Sequence, residues 1–231
     1  MSPSVHRATD NLAEVMPADL RGQVRDGGRD PAGPPGVWRG SHPWLRWALV
    51  QTVLRVDLIG HGLTEAVRKA RFPVDEPLDE SGLSAVRACA PLADAQVRTA
   101  PERRTRETAA ALGFTGEQDA RLRDLDAGSW RGSEMGNLAQ DQLFSWLTDP
   151  EFRGHGGESV TDLVARVRFW LAETASAGRD TVAVTHPAVI RAALLVVLDA
   201  PPKSFWRIDI APASVTRLHH RGNWTLRLGH G

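Results

Sequence analysis

Two short apolar runs constrain the fold of this chain more than any other feature. Residues 56–59 (VDLI) run into Gly60-His61-Gly62, and residues 181–185 (TVAVT) run into His186-Pro187. Each run is short and apolar, as strands buried on both faces are, and each is followed by sequence with helical spacing. Strand, turn and helix in repeated succession predict parallel strands with helices packed on both sides. In such sheets ligands bind beyond the carboxyl ends of the strands. His61 and His186 are therefore expected at one end of the sheet, although far apart in the chain.

Further elements follow the same grammar. Pro101 stands near a helix start and Gly113 just past the helix end. Ser159 is a candidate N-cap with Asp162 three residues on, and Leu163, Val164, Val167, Trp170 and Leu171 then recur at helical spacing. Pro187 opens a helix through 188–198. Residues 207–228 alternate β-formers around a turn at Gly222-Asn223. The expected fold is α/β, a three-layer sandwich with a mostly parallel central sheet and helices on both faces, spanning residues 51–231. Residues 1–50 read as a disordered or loosely docked N-terminal extension. Its first forty residues are rich in Gly, Pro, Arg and Asp without apolar period. Residues 42–54, with Trp44 and Trp47, are either a short docking helix or an extension with no fold of its own. No internal repeat is present.

Bulk properties remove several classes of function. Lys plus Arg and Asp plus Glu both number 28, so no net charge advertises a nucleic acid or membrane partner. Apolar content of 42% and charged content of 24% are those of an ordinary globular chain. The most apolar windows fall well short of the roughly 20 residues of a spanning helix. No secretory signal pattern is visible, and the single Cys89 fits a reducing compartment. The expected location is the cytoplasm. No His-x-x-x-His or similar ligand spacing surrounds the core motifs, so neither a metal nor another cofactor is expected. His219 and His220 read as surface residues of the hairpin, Trp130 as packing and Arg191 as structural.

A neutral imidazole is a nucleophile near neutral pH, its pKa lying at about 6.5. Attack on phosphorus needs such a group, cations around the phosphoryl oxygens and an acid for the leaving oxygen. The chain offers Arg103, Arg104 and Arg106 in PERRTRE, and Asp124 and Asp126 in RLRDLDAGSWRG. Taken alone, PERRTRE also permits Glu102–Arg106 and Arg103–Glu107 pairs on a solvated helix face.

Five segments, LIGHGLTEA, TAPERRTRETAAAL, LRDLDAGSWRG, HGGES and VAVTHPAVIRAAL, resemble in order the motif series of the histidine phosphatase (phosphoglycerate mutase-like) superfamily. The resemblance covers residues 54–228. It implies that His61 is the nucleophile that becomes phosphohistidine, that Arg104 binds the phosphoryl group, and that Asp124 is the proton donor. It implies that His186 is a second pocket histidine donating a hydrogen bond to a transferring oxygen. Gly62, Thr64, Arg68, Arg71, His155 and Glu158 complete the expected substrate-binding set. Thr64 would organise the first loop, and Glu158 and Ser159 would shape a loop and cap a helix.

The chain departs from the pattern at three places. Gly60 stands where the family carries an arginine. Losing one such donor costs about 3–4 kcal/mol of transition-state stabilisation, about two to three powers of ten in rate. Arg68, Arg71 or His155 is expected to compensate. Asp124 replaces glutamate, with Asp126 as a rival, and Val67 stands where asparagine is common. The expected activity is a phosphomonoesterase acting on a small phosphorylated metabolite, such as a sugar or nucleotide-like phosphate, with α-ribazole 5′-phosphate one candidate. The short stretch between Gly132 and His155 argues against a mutase. The rival class is a phosphate-ligand binder with a weakened site, and a homodimer is left open.

Overall fold

The computed structural model describes residues 53–88, 91 and 94–228. The expectations for residues 1–50 and for Cys89 lie outside these residues. Six strands form one sheet: β1 (Leu54–Gly60), β2 (Gln96–Thr99), β3 (Glu117–Gln118), β4 (Thr181–Thr185), β5 (Val215–Arg221) and β6 (Asn223–Arg227). Their spatial order is β3-β2-β4-β1-β5-β6. The pairs β1–β4, β2–β4 and β2–β3 are parallel, whereas β1–β5 and β5–β6 are antiparallel. The chain thus builds a parallel half and closes one edge with the expected hairpin, turned at Gly222 with φ +80°. Leu54 opens β1 rather than ending a docking helix.

Among the described residues six α-helices accompany the sheet: α1 (Glu65–Arg68), α2 (Glu80–Val86), α3 (Arg103–Ala111), α4 (Gln140–Thr148), α5 (Val160–Ala177) and α6 (Pro187–Val197). The start of α5 is a full capping box: the Ser159 hydroxyl accepts from the Asp162 N–H, and the Asp162 carboxylate accepts from the Ser159 N–H. Gly178 ends it in the left-handed region at φ +63°. Pro187 occupies the first turn of α6, where its missing N–H leaves nothing unpaired. Among the described residues no helix is long and apolar enough to cross a membrane.

Side-chain alternation along the central strands explains the two covered faces. Val56 and Leu58 of β1 and Ala183 of β4 pack with Leu163, Val167, Leu171, Ile190 and Leu195 of α5 and α6. Ile59, Val182 and Val184 face the other way, against Ala109 of α3 with Leu112 and Phe114. Each fully buried Leu or Ile contributes about 1.5–3 kcal/mol. A third cluster sits apart from both: Phe72, Trp130 and Trp146, joined by Phe152 and Trp206.

One charge interrupts the buried face. Asp57, fully buried, receives two hydrogen bonds from Arg217 on β5, at 2.7 and 2.8 Å, directly across the strand pair. Arg217 is partly exposed and the aspartate is not, so the two partners differ in what their loss leaves behind. Arg217→Met takes the cation from a buried carboxylate and is expected to cost about 3 kcal/mol in urea unfolding. Asp57→Asn keeps the shape and leaves a cation with access to water, and should cost less.

Candidate active site

The register of the parallel strands assembles the site. Gly60 pairs with Thr185, so His61 and His186 each lie one residue past adjacent strand ends. The His61 N–H donates to the Thr185 carbonyl at 3.0 Å. The two imidazole centroids are 5.2 Å apart. The next strand, β2, ends at Thr99 and leads through Pro101 and Glu102 into α3, whose first turn carries Arg104. The segment after β3 carries Asp124. Each of the four parallel strands therefore delivers one charged or titratable group to the same end of the sheet.

His61 is held in one tautomer. Its Nδ1 lies 2.7 Å from the Gly62 carbonyl oxygen, which only accepts, so Nδ1 bears the proton and Nε2 the lone pair. Burial, then the charges of His186 and Arg104, lower its pKa to about 3. The imidazole is thus neutral at physiological pH. Gly62 donates its N–H to the Thr108 hydroxyl at 3.0 Å, and a Cβ there would meet the Gly82 carbonyl oxygen at 2.9 Å. Gly62 is therefore the glycine this turn requires. Gly60 is not: a Cβ there meets nothing closer than 3.6 Å.

Arg104, 1% exposed, donates to Asp124 Oδ2 at 2.7 Å and to the Val74 carbonyl at 3.1 Å, and lies 3.9 Å from Glu76. Its Nε has no hydrogen-bond partner. Asp124 is pulled two ways. Burial raises its pKa, but the charges of His186, Arg104 and His61 outweigh that and bring it to about 2. As placed, it is an ionised partner of Arg104 rather than an acid holding a proton.

His186 lies beside Asp124 and Glu102. It is fully buried and its ring nitrogens face two carboxylates, Nε2 at 2.9 Å from Glu102 Oε2 and Nδ1 at 3.4 Å from Asp124 Oδ2. The second contact lacks hydrogen-bond geometry, leaving Nδ1 without a hydrogen bond. His186 thus has one nitrogen engaged by Glu102 and the other unbonded beside Asp124. Glu102 is the residue that sequence reasoning missed. Its other oxygen accepts the Asp124 N–H at 3.1 Å, so one carboxylate joins His186 to the backbone that carries Asp124. Burial, the largest single effect, raises the Glu102 pKa; the His186 hydrogen bond and charge together with the backbone hydrogen bonds outweigh it, giving a net lowering. Of the two surface pairs read in PERRTRE, Arg103–Glu107 forms at 2.7 Å, while Glu102 turns inward. Its place after Pro101, at the helix N-cap, was the available signal.

A cavity of about 470 Å³ opens at this end, lined by His61, Arg104 and Asp124 and also by Arg71, Glu76 and Arg191. A second, of about 290 Å³, shares Arg104 and Asp124 and is lined by Glu102. A hollow of about 150 Å³ beside Gln96 and Thr181 lies at the opposite strand ends and contains none of these groups. Among the described residues no group of three or more His, Cys, Asp or Glu is arranged to hold a metal ion.

Several expected substrate contacts are engaged elsewhere. Arg68 pairs with Asp79 at 2.7 Å on the surface. Glu158 is held by Arg166 at 2.7 Å, with Arg123 at 3.4 Å. His155 is buried between Trp130 and Phe152, its Nδ1 accepting the Gly157 N–H at 2.9 Å. Thr64 caps α1 and donates to Glu76 at 3.3 Å. Of the three groups expected to replace the missing arginine, only Arg71 lines the cavity. Arg191, read as structural, lines it too: its Nε donates to the Ile208 carbonyl at 2.7 Å and its guanidinium lies over the rings of Phe205 and Trp206. Asp126 accepts from Gly128 and pairs with exposed Arg131 at 3.1 Å, away from His61.

Comparison with known proteins gives this geometry a context. The chain is 31% identical to glucosyl-3-phosphoglycerate phosphatase of Mycolicibacterium vanbaalenii, over 64% of this chain and 76% of that protein. It is equally identical to the Mycobacterium tuberculosis protein of that name, over 74% and 86%. A bifunctional protein of Mycobacterium tuberculosis is 28% identical over 77% of this chain, which spans about half (54%) of its length. A solved structure of mycobacterial glucosyl-3-phosphoglycerate phosphatase with VO3 superposes with a TM-score of 0.66 at 26% identity, covering 76% of this chain and 98% of that one. The model of the histidine phosphatase superfamily, branch 1, matches residues 56–228. With strand ends, histidines and motif order all in agreement, the chain belongs to the histidine phosphatase superfamily.

Proposed function

We propose that this chain is a phosphomonoesterase working through a phosphohistidine on His61. The single observation that carries the reading is the Nδ1–Gly62 hydrogen bond, which leaves a neutral imidazole with its Nε2 lone pair unprotonated on a cavity shared with Arg104. Nε2 attacks phosphorus, the bond from phosphorus to the ester oxygen breaks, and the electron pair leaves on that oxygen. Arg104 holds the phosphoryl oxygens through its buried fork. An arriving phosphoryl anion adds like charge beside Asp124, raising its pKa and bringing a proton onto it. The leaving oxygen takes that proton. Asp124 then accepts a proton from the water that attacks the phosphohistidine, the P–N bond breaks, and inorganic phosphate departs.

Glu102 acts behind this arrangement as a positioning residue, holding the Asp124 backbone with one oxygen and the His186 ring with the other. Arg71 and Arg191, which line the cavity, supply the cationic field that Gly60 lacks. Substrates are small phosphorylated metabolites, in keeping with relatives named as phosphatases.

Turnover of p-nitrophenyl phosphate is the direct measurement. His61→Ala should lower kcat by about three powers of ten or more, and acid-labile label should be trapped on the wild-type protein after quenching with 32P-labelled substrate. Equal rates for the two proteins would leave only the reading as a phosphate-ligand binder. Gly60→Arg, whose Cβ meets no close contact, is expected to raise kcat/KM by about 10-fold or more. A third outcome concerns pH. The His61 pKa lies below its ordinary 6.5 in the folded protein, so the unfolded chain takes up that proton first. The stability this group permits is complete above about pH 6.5 and is lost as pH falls towards 3. In urea unfolding across that window, His61→Asn should show the flatter decline.

A further inference from the structure

The cavity changes character away from its phosphoryl end. Beyond His61, Arg104 and Asp124, its walls are built by Val67, Phe72, Met135, Trp146, Trp206 and Ile210. The ring centroids of Trp146 and Trp206 lie 4.2 Å apart and those of Phe72 and Trp146 5.4 Å apart, an aromatic wall in which Phe72 and Trp146 are buried and Trp206 half-buried. Trp206 spends its indole N–H on the Trp146 carbonyl at 3.3 Å, so it offers the cavity no donor. Arg191 spends its Nε on Ile208 and lays its flat face on Trp206, stiffening that wall. Val67 is 49% exposed, apolar surface standing open at a position where the motif resemblance leads one to expect asparagine. Glu76 is taken up by Thr64 and the Val74 N–H, and Asp209 is exposed.

A sugar hydroxyl buried against these apolar walls loses water without gaining a partner, the donors of Arg71 and Arg191 being assigned above to the phosphoryl group. A flat apolar group loses nothing and gains contact with the rings. We propose that the phosphomonoesters this site takes are those whose alcohol carries a flat apolar or aromatic group, seated against Trp206, Trp146 and Val67, rather than sugar phosphates. This rests on the phosphatase reading for its chemistry, and it separates this chain from the relatives named for a glucosyl substrate.

The test compares 2-naphthylmethyl phosphate with glucose 6-phosphate. Both are primary alkyl esters with similar leaving oxygens, so kcat/KM reports the fit of the alcohol. The naphthylmethyl ester should be preferred by about 10- to 100-fold, and Trp206→Ala and Val67→Asn should each shrink that ratio by about 10-fold. Val67 lies half exposed on α1, so its variant serves if loss of Trp206 unfolds the aromatic cluster. Calorimetric titration of His61→Ala protein with the same two esters should give the same ranking in Kd. A ratio near one, or a preference for glucose 6-phosphate, in both measurements overturns the inference and leaves the phosphatase reading standing. The expected ranking in Kd without turnover of either ester upholds the inference and overturns the phosphatase reading instead.

Discussion

The pairing of Gly60 with Thr185 is the constraint on which the site depends. It sets His61 and His186 side by side, because the N–H of the first histidine is itself the last hydrogen bond of the parallel ladder. A slip of one residue would move every side chain of β1 to the opposite face. It would send Val56 and Leu58 out of one core and Asp57 away from Arg217. The same apolar alternation that stabilises the sheet therefore fixes the geometry of the candidate site, and no separate device is needed to bring two distant histidines to 5.2 Å.

Around that pair, charges are buried only in company. Arg104 is almost wholly enclosed yet bonded to Asp124 and a carbonyl; Asp124 is bounded by Arg104 and His186; His186 is bounded by Glu102. Removing Arg104 or Asp124 leaves the other buried charge short of a partner, which costs more than the pair contributes. His61 is the exception, and it resolves the problem differently by remaining neutral. An imidazole that stays uncharged beside Arg104 and Asp124 keeps its lone pair across the physiological range. The orphaned Nε of Arg104 and Nδ1 of His186 are the polar capacity that the cluster leaves unused.

Much of this was legible in the chain. Short apolar runs ending in histidine, the Ser159 capping box, Pro187 and the hairpin all declare themselves within a few residues, because strand alternation and helix capping are local physics. What was illegible depends on partners far away in sequence. Glu102 has a helical neighbour at Arg106 and a spatial neighbour at His186, and only the tertiary fold shows that the second wins. Arg68 and Glu158 look like free ligands in the sequence and are occupied by Asp79 and Arg166 in space. Arg191 looked structural because its helix face is set by the docking of α6 and not by its spacing from Pro187. The vacancy at Gly60 was readable only as a departure from a motif; the space around it is a property of the folded chain.

The motif residues then divide into those that face the cavity and those that hold the former in place. Gly128 and Gly157 pack backbone to backbone: a Cβ on Gly157 would lie 2.0 Å from the Asp126 carbonyl oxygen, and one on Gly128 would lie 2.1 Å from that of His155. Glu158 and Ser129 donate their N–H groups across the same seam, at 2.9 Å each, to Asp126 and His155. HGGES and DAGSW are thus one structural joint made from two motifs. Its product is the position of the segment that leads from β3 through Asp124. Glu102 secures that segment at its front and Arg166 at its back, through the carbonyls of Arg121 and Arg123. A carboxylate that holds Arg104 at 2.7 Å has to be placed within a few tenths of an ångström. Glycines at the joint allow that placement because only bare backbone comes so close.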